Sequence, residues 1–195
     1  MKRILDLILA AAGLIVLAPF LAAIALAIKL TSRGPVFYRG ERIGRNGVPF
    51  RMFKFRTMVI NAEQIGGSST PDDDPRLTRV GKFLRRYKLD ELPQLINVVN
   101  GEMSMVGPRP QVGWVVERYT PEERLVLTVR PGITDYASLK FHNEGEILRG
   151  SKNPDEDYFR LIHPTKMRLS LEYVKNASVF TDVKIILRTL LAILK

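Results

Sequence analysis

The chain of 195 residues has no cysteine and only two histidines, His142 and His163. Disulfides, zinc–thiolate sites and a cysteine nucleophile are thereby excluded, and a histidine-rich metal site has too few ligands. The Gly-x-x-x-x-Gly-Lys-Ser/Thr pattern with which a P-loop cradles nucleotide phosphates is also missing. Acids are scarce: 20 Asp and Glu face 30 Lys and Arg, a formal net charge of +10. That excess favours anionic partners, whether phosphates, nucleic acid or acidic lipid. Covalent chemistry is left to Ser, Thr, Tyr, Lys or a carboxylate. With 46% hydrophobic residues the chain supports a packed core, at a length that suits one ordinary domain with an appendage.

One long apolar run is present, at the N-terminus. From Ile4 to Ile28 there are 25 residues with a single charge, Asp6. As a straight helix the run is about 38 Å long, enough to cross a bilayer core of roughly 30 Å. It is too long for the apolar part of a cleavable signal, and no small-residue cleavage site follows it. Pro19 lies inside it, where the ring removes one hydrogen bond and crowds the carbonyl four residues earlier. Split there, the halves are about 14–22 Å long, each too short to cross alone. Lys2 and Arg3 precede the run and Lys29 and Arg33 follow it, a symmetric positive flank suited to a segment that enters and leaves on one side. A re-entrant membrane helix–break–helix is expected over residues 1–33, with an ordinary kinked spanning helix as the alternative. In residues 179–195, Val183, Ile186, Leu187, Leu190, Leu191 and Leu194 recur at helical spacing, with Lys184, Arg188 and Lys195 elsewhere on the wheel. Such a basic amphipathic helix can lie in an anionic interface or pack on the core.

Between these ends, residues 34–178 read as an α+β body, mostly helical with one β-hairpin. Apolar and basic residues alternate around Asn46-Gly47, a strong hairpin signal, with strands expected at about 36–43 and 48–58. Residues 33–56 hold seven basic residues and one acid, interleaved with Phe37, Phe50, Phe53 and Phe55. A hairpin of this kind can hold nucleic acid or the phosphates of a nucleotide. No RNA-binding or helix-turn-helix signature follows, so nucleic acid is not the expected partner. Gly66 to Pro75 reads as a loop, and its Asp72-Asp73-Asp74 run, bracketed by prolines and led into by no apolar strand, is expected to be solvated rather than metal-binding. Arg76 to Tyr87 reads as a basic helix.

The densest chemistry lies in "YKLDELPQLINVVNGEMSMVGPRP", Tyr87 to Pro110. Leu89, Leu92, Ile96 and Val99 fall on one face of a helix. Pro93 is tolerated only in a first turn, which places the acid pair Asp90 and Glu91 at the helix N-terminus. There they either cap the helix or stand where backbone N–H groups favour carboxylate and phosphate. Arg109 is stiffened between two prolines, and a second arginine, Arg130, precedes Pro131-Gly132. Rigidly presented arginines suit bidentate phosphate binding. An acid pair, such arginines and a basic hairpin together describe phosphoryl chemistry. An ionised aspartate could attack phosphorus, or the pair could hold a magnesium ion through hard oxygen ligands.

The segments "KFRTM" (54–58), "LDELPQLINVVNGEMSMVGPRP" (89–110), "RPGIT" (130–134) and "EYVKN" (172–176), with the N-terminal apolar run, resemble the monotopic phosphoglycosyl transferases, the bacterial sugar transferase family. The resemblance covers nearly the whole chain, and its central motif is highly specific. It implies transfer of a phosphosugar from a nucleotide diphosphosugar, usually a UDP-sugar, to polyprenol phosphate, giving polyprenyl-diphosphosugar and UMP at the start of glycan or exopolysaccharide assembly. By motif position Asp90 would be the nucleophile of a covalent phosphosugar intermediate, with Glu91 its partner and both near Mg2+. Arg109, Arg130, Lys54 and Arg85 would bind substrate phosphate. The setting implied is the cytoplasmic face of a bacterial inner membrane, with membrane lipid as a further partner. Oligomeric state stays open, a homodimer included, and a catalytically inactive membrane-anchored binding protein is the alternative to an enzyme. The chain departs from the family at Ala18-Pro19, where Ser-Pro is frequent, and at "PGITDYASL", where "PGITGWAQV" is common.

Overall fold

A computed structural model describes residues 1–141 and 143–193; His142, Leu194 and Lys195, the last two part of the expected C-terminal helix, lie outside the described residues. The architecture is α+β, as expected. Helix α1 (Lys2–Thr31) leads into a hairpin of β1 (Phe37–Ile43) and β2 (Pro49–Phe55). These strands pair antiparallel in the register Phe37↔Phe55 to Ile43↔Pro49. Asn46 and Gly47 both take positive φ, 58° and 78°, so the Asn-Gly signal marks the turn it was read as marking. Short helices follow: α2 (Ala62–Ile65), α3 (Arg79–Arg86), a 3-10 turn (Leu89–Glu91) and α4 (Gln94–Asn100). Strand β3 (Ser104–Val106), α5 (Gly113–Glu117), another 3-10 segment (Glu123–Thr128) and β4 (Gly132–Thr134) come next. The chain ends with α6 (Tyr136–Lys140), α7 (Glu144–Ile147), α8 (Pro154–Asp157), a π-helical turn (Tyr158–Ile162), α9 (His163–Lys175) and α10 (Val179–Ile193).

Helix α1 lies along the body on one stripe. Ala10, Leu14 and Leu17 pack with Phe50, Met52, Leu95, Val98 and Met103. Further on, Leu21, Ile24, Ala25 and Ile28 pack with Phe55 and Leu84. The expected break at Pro19 does not interrupt the helix, which runs from Lys2 to Thr31 with Pro19 inside it. Apolar contacts to one body on both sides of Pro19 hold the helical course across the missing hydrogen bond. Polar bonds fasten both ends. Lys2 Nζ donates to Asp182 Oδ2 at 2.6 Å and to the Val106 carbonyl at 3.0 Å, and Arg3 donates to the Val98 and Val99 carbonyls. Asp6, nearly sealed, accepts from Ser104 Oγ and Met105 N–H, and at the far end Arg56 donates to Ser32. The opposite face, including Ile4, Ile8, Ile15, Val16, Phe20, Leu26 and Leu30, is exposed. By length and composition α1 could cross a membrane.

Helix α4 corrects one expectation. Its covered positions are Leu95 and Val98, together with the polar Gln94 and Asn97, while Val99 of the expected apolar face is exposed. The 3-10 turn and Pro93 shift the helical register, and α4 is wedged between α1 and the hairpin. Asn97 there replaces a missing strand: its Oδ1 accepts from Phe53 N–H at 2.8 Å and its Nδ2 donates to the Arg51 carbonyl at 2.9 Å, on the free edge of β2.

Helix α3 is shorter than expected. Thr78 caps it by accepting from Gly81 N–H, and Arg76 lies before it, buried and bonded to Asp74 at 2.7 Å. The acidic loop is therefore not simply solvated: Asp74 is buried, Asp73 accepts from Gly150 N–H, and the Asp72 N–H donates to the Gly145 carbonyl. Helix α10 combines both sequence readings. Asp182 and Ile185 are buried against Tyr173 and Val106, while Phe180, Val183, Leu187, Leu190 and Leu191 face outward.

Candidate active site

Lys88 starts the site by adopting the left-handed conformation, φ 55°, which ends α3 and aims the chain into the Leu89–Glu91 turn. That conformation is uncommon outside glycine and costs about 1 kcal/mol or more. Pro93 then caps α4, so the acid pair stands just before the helix start rather than within its first turn. Asp90 is 3% exposed, and its Oδ1 is buried with no hydrogen-bond partner among the described residues. Its Oδ2 is 3.8 Å from Lys54 Nζ, which reaches over from β2.

Glu91 is held quite differently. Arg109 grips it with both arms of the guanidinium, Nη1 to Oε2 at 2.8 Å and Nη2 to Oε1, and Lys54 Nζ adds a third bond at 3.0 Å. A fork-to-fork pair of this kind is strong and directional. Burial alone would raise the Glu91 carboxyl, but the charges of Arg109 and Lys54 prevail and hold it well below the usual carboxylate range. Glu91 is thus a fixed anion. Asp90 goes the other way: burial, seconded by the Glu91 charge, raises its pKa against the opposing pull of Lys54, Arg85 and Lys88. The two neighbours therefore differ in kind. One acid is saturated with cations; the other is the more basic and keeps an oxygen free.

Arg109 owes its place to a pair of glycines. Residues 104–106 and 132–134 pair as parallel β3 and β4, Gly132 N–H donates to the Pro108 carbonyl, and Gly107 N–H donates to the Thr134 carbonyl. A Cβ on Gly132 would lie 2.0 Å from Gly107 N. The "RPGIT" segment is thus the brace for "GPRP". Pro131 and Gly132 do this work, and Arg130 does not join the dyad: its Nε donates to the Gly101 carbonyl at the other end of α4. Arg85 stands near the dyad, one of the charges acting on Asp90, while its Nη2 holds the Thr70 carbonyl.

Four residues beside the site were not singled out in the sequence. Lys88 acts electrostatically on both acids, Arg42 on Arg109, and the ion pair of half-buried Glu144 with buried Lys166, 2.7 Å apart, also neighbours Arg109. Lys88 adjoins the motif and was within reach of inspection. Glu144 and Lys166 come from α7 and α9, which no local pattern links to it.

For a divalent ion, the donor set is two adjacent carboxylates; among the described residues no group of three or more Asp, Glu or His gathers here or elsewhere. Glu91 is already taken by Arg109 and Lys54, so the free donor is Asp90, and one carboxylate suits Mg2+, which keeps water and takes substrate phosphate as further ligands. The orphaned Asp90 Oδ1 is an oxygen that such a cation would complete.

Comparison with known proteins bears on the whole chain. The family model described as "Bacterial sugar transferase" matches residues 1–195. The chain is 38% identical over 197 residues to the UDP-glucose:undecaprenyl-phosphate glucose-1-phosphate transferase of Escherichia coli (strain K12), covering 97% of this chain and 39% of that protein. It is 36% identical to the UDP-N-acetylgalactosamine-undecaprenyl-phosphate N-acetylgalactosaminephosphotransferase of Aeromonas hydrophila, covering 99% of this chain and 43% of that protein. It is also 38% identical to the exopolysaccharide production protein PSS of Rhizobium leguminosarum bv. phaseoli, covering 98% of this chain and 94% of that protein. The chain thus spans about two fifths of the first two relatives and nearly all of the third. With its acid dyad, braced arginine and matching sequence taken together, the chain belongs to the bacterial sugar transferase family.

Proposed function

We propose that the chain transfers a sugar phosphate from a UDP-sugar to undecaprenyl or a similar polyprenol phosphate, releasing UMP, as a membrane step of exopolysaccharide or other glycan assembly. The observation that carries this reading is the asymmetry of the dyad: Asp90 buried, raised in pKa and with a free oxygen, beside a Glu91 locked to Arg109 and Lys54.

In this mechanism an Asp90 carboxylate oxygen attacks the phosphorus that bears the sugar. The phosphoanhydride bond to UMP breaks, and UMP leaves with the bonding pair. The aspartyl-phosphosugar is then attacked by a phosphate oxygen of the polyprenol phosphate. That step forms polyprenyl-diphosphosugar and returns the carboxylate. Burial of Asp90 removes hydration that would blunt its nucleophilicity. Lys54 neutralises charge at the dyad, and Arg85 and Arg109 provide positive potential toward the diphosphate. The free Asp90 oxygen would hold Mg2+, with Glu91 able to join only by giving up a bond to Lys54 or Arg109; the ion when bound supplies charge neutralisation for the diphosphate and the departing UMP.

The anchor reading is monotopic. Both ends of α1 are bonded to the same body, Lys2 to Asp182 and Ser32 to Arg56, an arrangement that supports entry and exit on one side of the bilayer. The exposed apolar faces of α1 and α10 would rest in lipid, and the dyad would face the cytoplasm at the inner membrane. Residues 1–33 are then the anchor, 34–178 the catalytic domain and 179–195 an interfacial helix.

The test is Asp90→Asn assayed for UMP release with UDP-sugar and undecaprenyl phosphate, where a loss of at least about a thousandfold is expected. Wild-type protein given donor without acceptor should gain a sugar-phosphate mass that Asp90→Asn lacks. Persistence of UMP release in the variant overturns the assignment.

A further inference from the structure

Among the described residues three other than glycine take a positive φ: Asn46, Asn61 and Lys88, the last at 55°. Asparagine visits this conformation readily because its short side chain bonds locally; lysine has no such compensation. The position asks for glycine. Lys88 follows Tyr87, the C-cap of α3, where helices commonly exit through a left-handed glycine, and Gly101 makes the exit from α4 in that way at φ 86°. Nothing inside the protein offsets the strain, since among the described residues the Lys88 side chain makes no hydrogen bond and no ion pair. Backbone strain kept for a side chain without an internal contact points to function.

Lys88 is close to the dyad and free to act there. Two peptide links separate it from Asp90, so the two Cα atoms are at most about 7.6 Å apart. The Glu91 N–H bond to the Lys88 carbonyl, 3.2 Å, tightens that turn, and the Lys88 charge is felt at Asp90, Glu91 and Glu144. The other cations of the site are engaged. Arg109 has both guanidinium arms on Glu91, Lys54 bonds Glu91, and Arg85 Nη2 holds the Thr70 carbonyl. Lys88 is exposed and keeps all three N–H donors of its ammonium for a ligand.

Its neighbours lead toward lipid. Leu89, between Lys88 and Asp90, packs with Ile24, Ile28, Phe55 and Leu84, the cluster beneath the second half of α1. The outer face of that half carries Phe20, Leu26 and Leu30. On the preceding turn Phe83 and Tyr87 are exposed, their rings 4.9 Å apart, and the Arg86 guanidinium lies 5.7 Å from the Tyr87 ring. Exposed aromatics among cations, beside an apolar helix, are the pattern of a membrane interface. Lys88 thus stands between the dyad and the surface from which a lipid-borne phosphate arrives. The second half of the reaction needs a cation there. A phosphate oxygen of the polyprenol must come within about 3–3.5 Å of the phosphorus carried by Asp90, and both groups are anionic.

We infer that Lys88 is an acceptor-binding residue, whose ammonium takes the phosphate monoester of the polyprenol and presents it to the phosphosugar on Asp90. This rests on the transferase reading above. A phosphate oxygen of the acceptor bonds to phosphorus, the Asp90–phosphorus bond breaks with its electron pair returning to the carboxylate, and Lys88 keeps its proton throughout. The test separates the two half-reactions in the detergent-solubilised full chain. Lys88→Gly and Lys88→Asn both remove the charge and both tolerate the left-handed turn, so Tm should stay within about 3 °C of the wild type. In each, the KM for undecaprenyl phosphate should rise about tenfold or more, the worth of one hydrogen bond to a charged group. Formation of the sugar-phosphate adduct from donor alone should change by about threefold at most. Lys88→Arg, which keeps the charge, should return the acceptor KM to within about threefold of the wild type. An unchanged acceptor KM in both neutral variants overturns the assignment. So does slowed adduct formation with that KM unmoved, which places Lys88 on the donor's diphosphate instead; both results leave the transferase reading standing. A wild type that forms no adduct and releases no UMP refutes that reading, and the role of Lys88 with it.

Discussion

Replacing Gly132 by alanine tests whether the parallel pair β3–β4 is what aims Arg109. The added Cβ would stand 2.0 Å from Gly107 N and 2.6 Å from Gly107 Cα and O, where ordinary contacts begin at 3.4 Å. Every one of these atoms is backbone, so no side chain can swing away, and the two segments must part by about 1 Å or more. The Gly132 N–H to Pro108 carbonyl bond lies across the same gap, one residue from Arg109. Overpacking of this kind costs roughly 1–3 kcal/mol. For a domain of this length that lowers Tm by about 2–12 °C, at about 2–4 °C per kcal/mol. The effect on rate should be larger in proportion, because about 1 Å of misplacement in a positioned group costs on the order of a hundredfold. Thermal unfolding in detergent measures the first and UMP release the second. Gly113→Ala is the control: its Cβ would meet nothing within 4 Å, and both readouts should stay at wild-type values. A Gly132→Ala protein with wild-type kcat/KM refutes the bracing argument, whatever its Tm.

The remaining predictions concern charge and anchorage. Asp90 must be ionised to attack, and its pKa lies above the ordinary carboxylate value of about 3.9, so kcat/KM for the donor should fall as pH drops through that raised value. Lys54→Met removes a charge that lowers the Asp90 pKa and should move the acid limb of the profile to higher pH; an unmoved limb counts against the pairing. Lys2→Met leaves the buried Asp182 with Tyr173 as its partner, and because Lys2 is itself about one-third exposed the loss should be only about 1–2 kcal/mol, read as a Tm decrease of a few degrees. Cysteines at Lys2 and Arg33, in a chain that otherwise has none, should react with an impermeant maleimide from the same side of membrane vesicles, and opposite-side labelling defeats the monotopic anchor. Chelation by EDTA should abolish UMP release and Mg2+ should restore it; turnover indifferent to chelator removes the metal from the scheme.

What the sequence made legible was local. Asn46-Gly47 fixed the hairpin turn because only those residues adopt positive φ cheaply, and Pro93 fixed where α4 begins because it lacks an N–H. The dyad, Lys54, Arg85 and Arg109 were found by motif, and the structure gathers them. Arg130 bonds the Gly101 carbonyl rather than the dyad, because a motif shows proximity in the chain, not the direction of a side chain; its neighbours Pro131 and Gly132 matter through backbone contact. Helix α4 misled the apolar-face reading because its burial comes from two sides at once, and the hairpin demands an amide at Asn97 where periodicity asks for a leucine. The covering of Asp6 by Ser104 and Met105, and of Asp182 by Lys2, joins residues about 100 and 180 positions apart, beyond any window of local pattern.

The Asn97 bonds to β2 carry a mechanical consequence. A two-stranded ribbon is marginal alone, and its bare border invites foreign chains to zip onto it. One amide both seals that border and rivets the ribbon to the helix that follows Asp90, so Lys54 and Asp90 ride on a single chassis. When apolar helix α1 shifts against the body, ammonium and carboxylate travel together, and the spacing between them survives the movement.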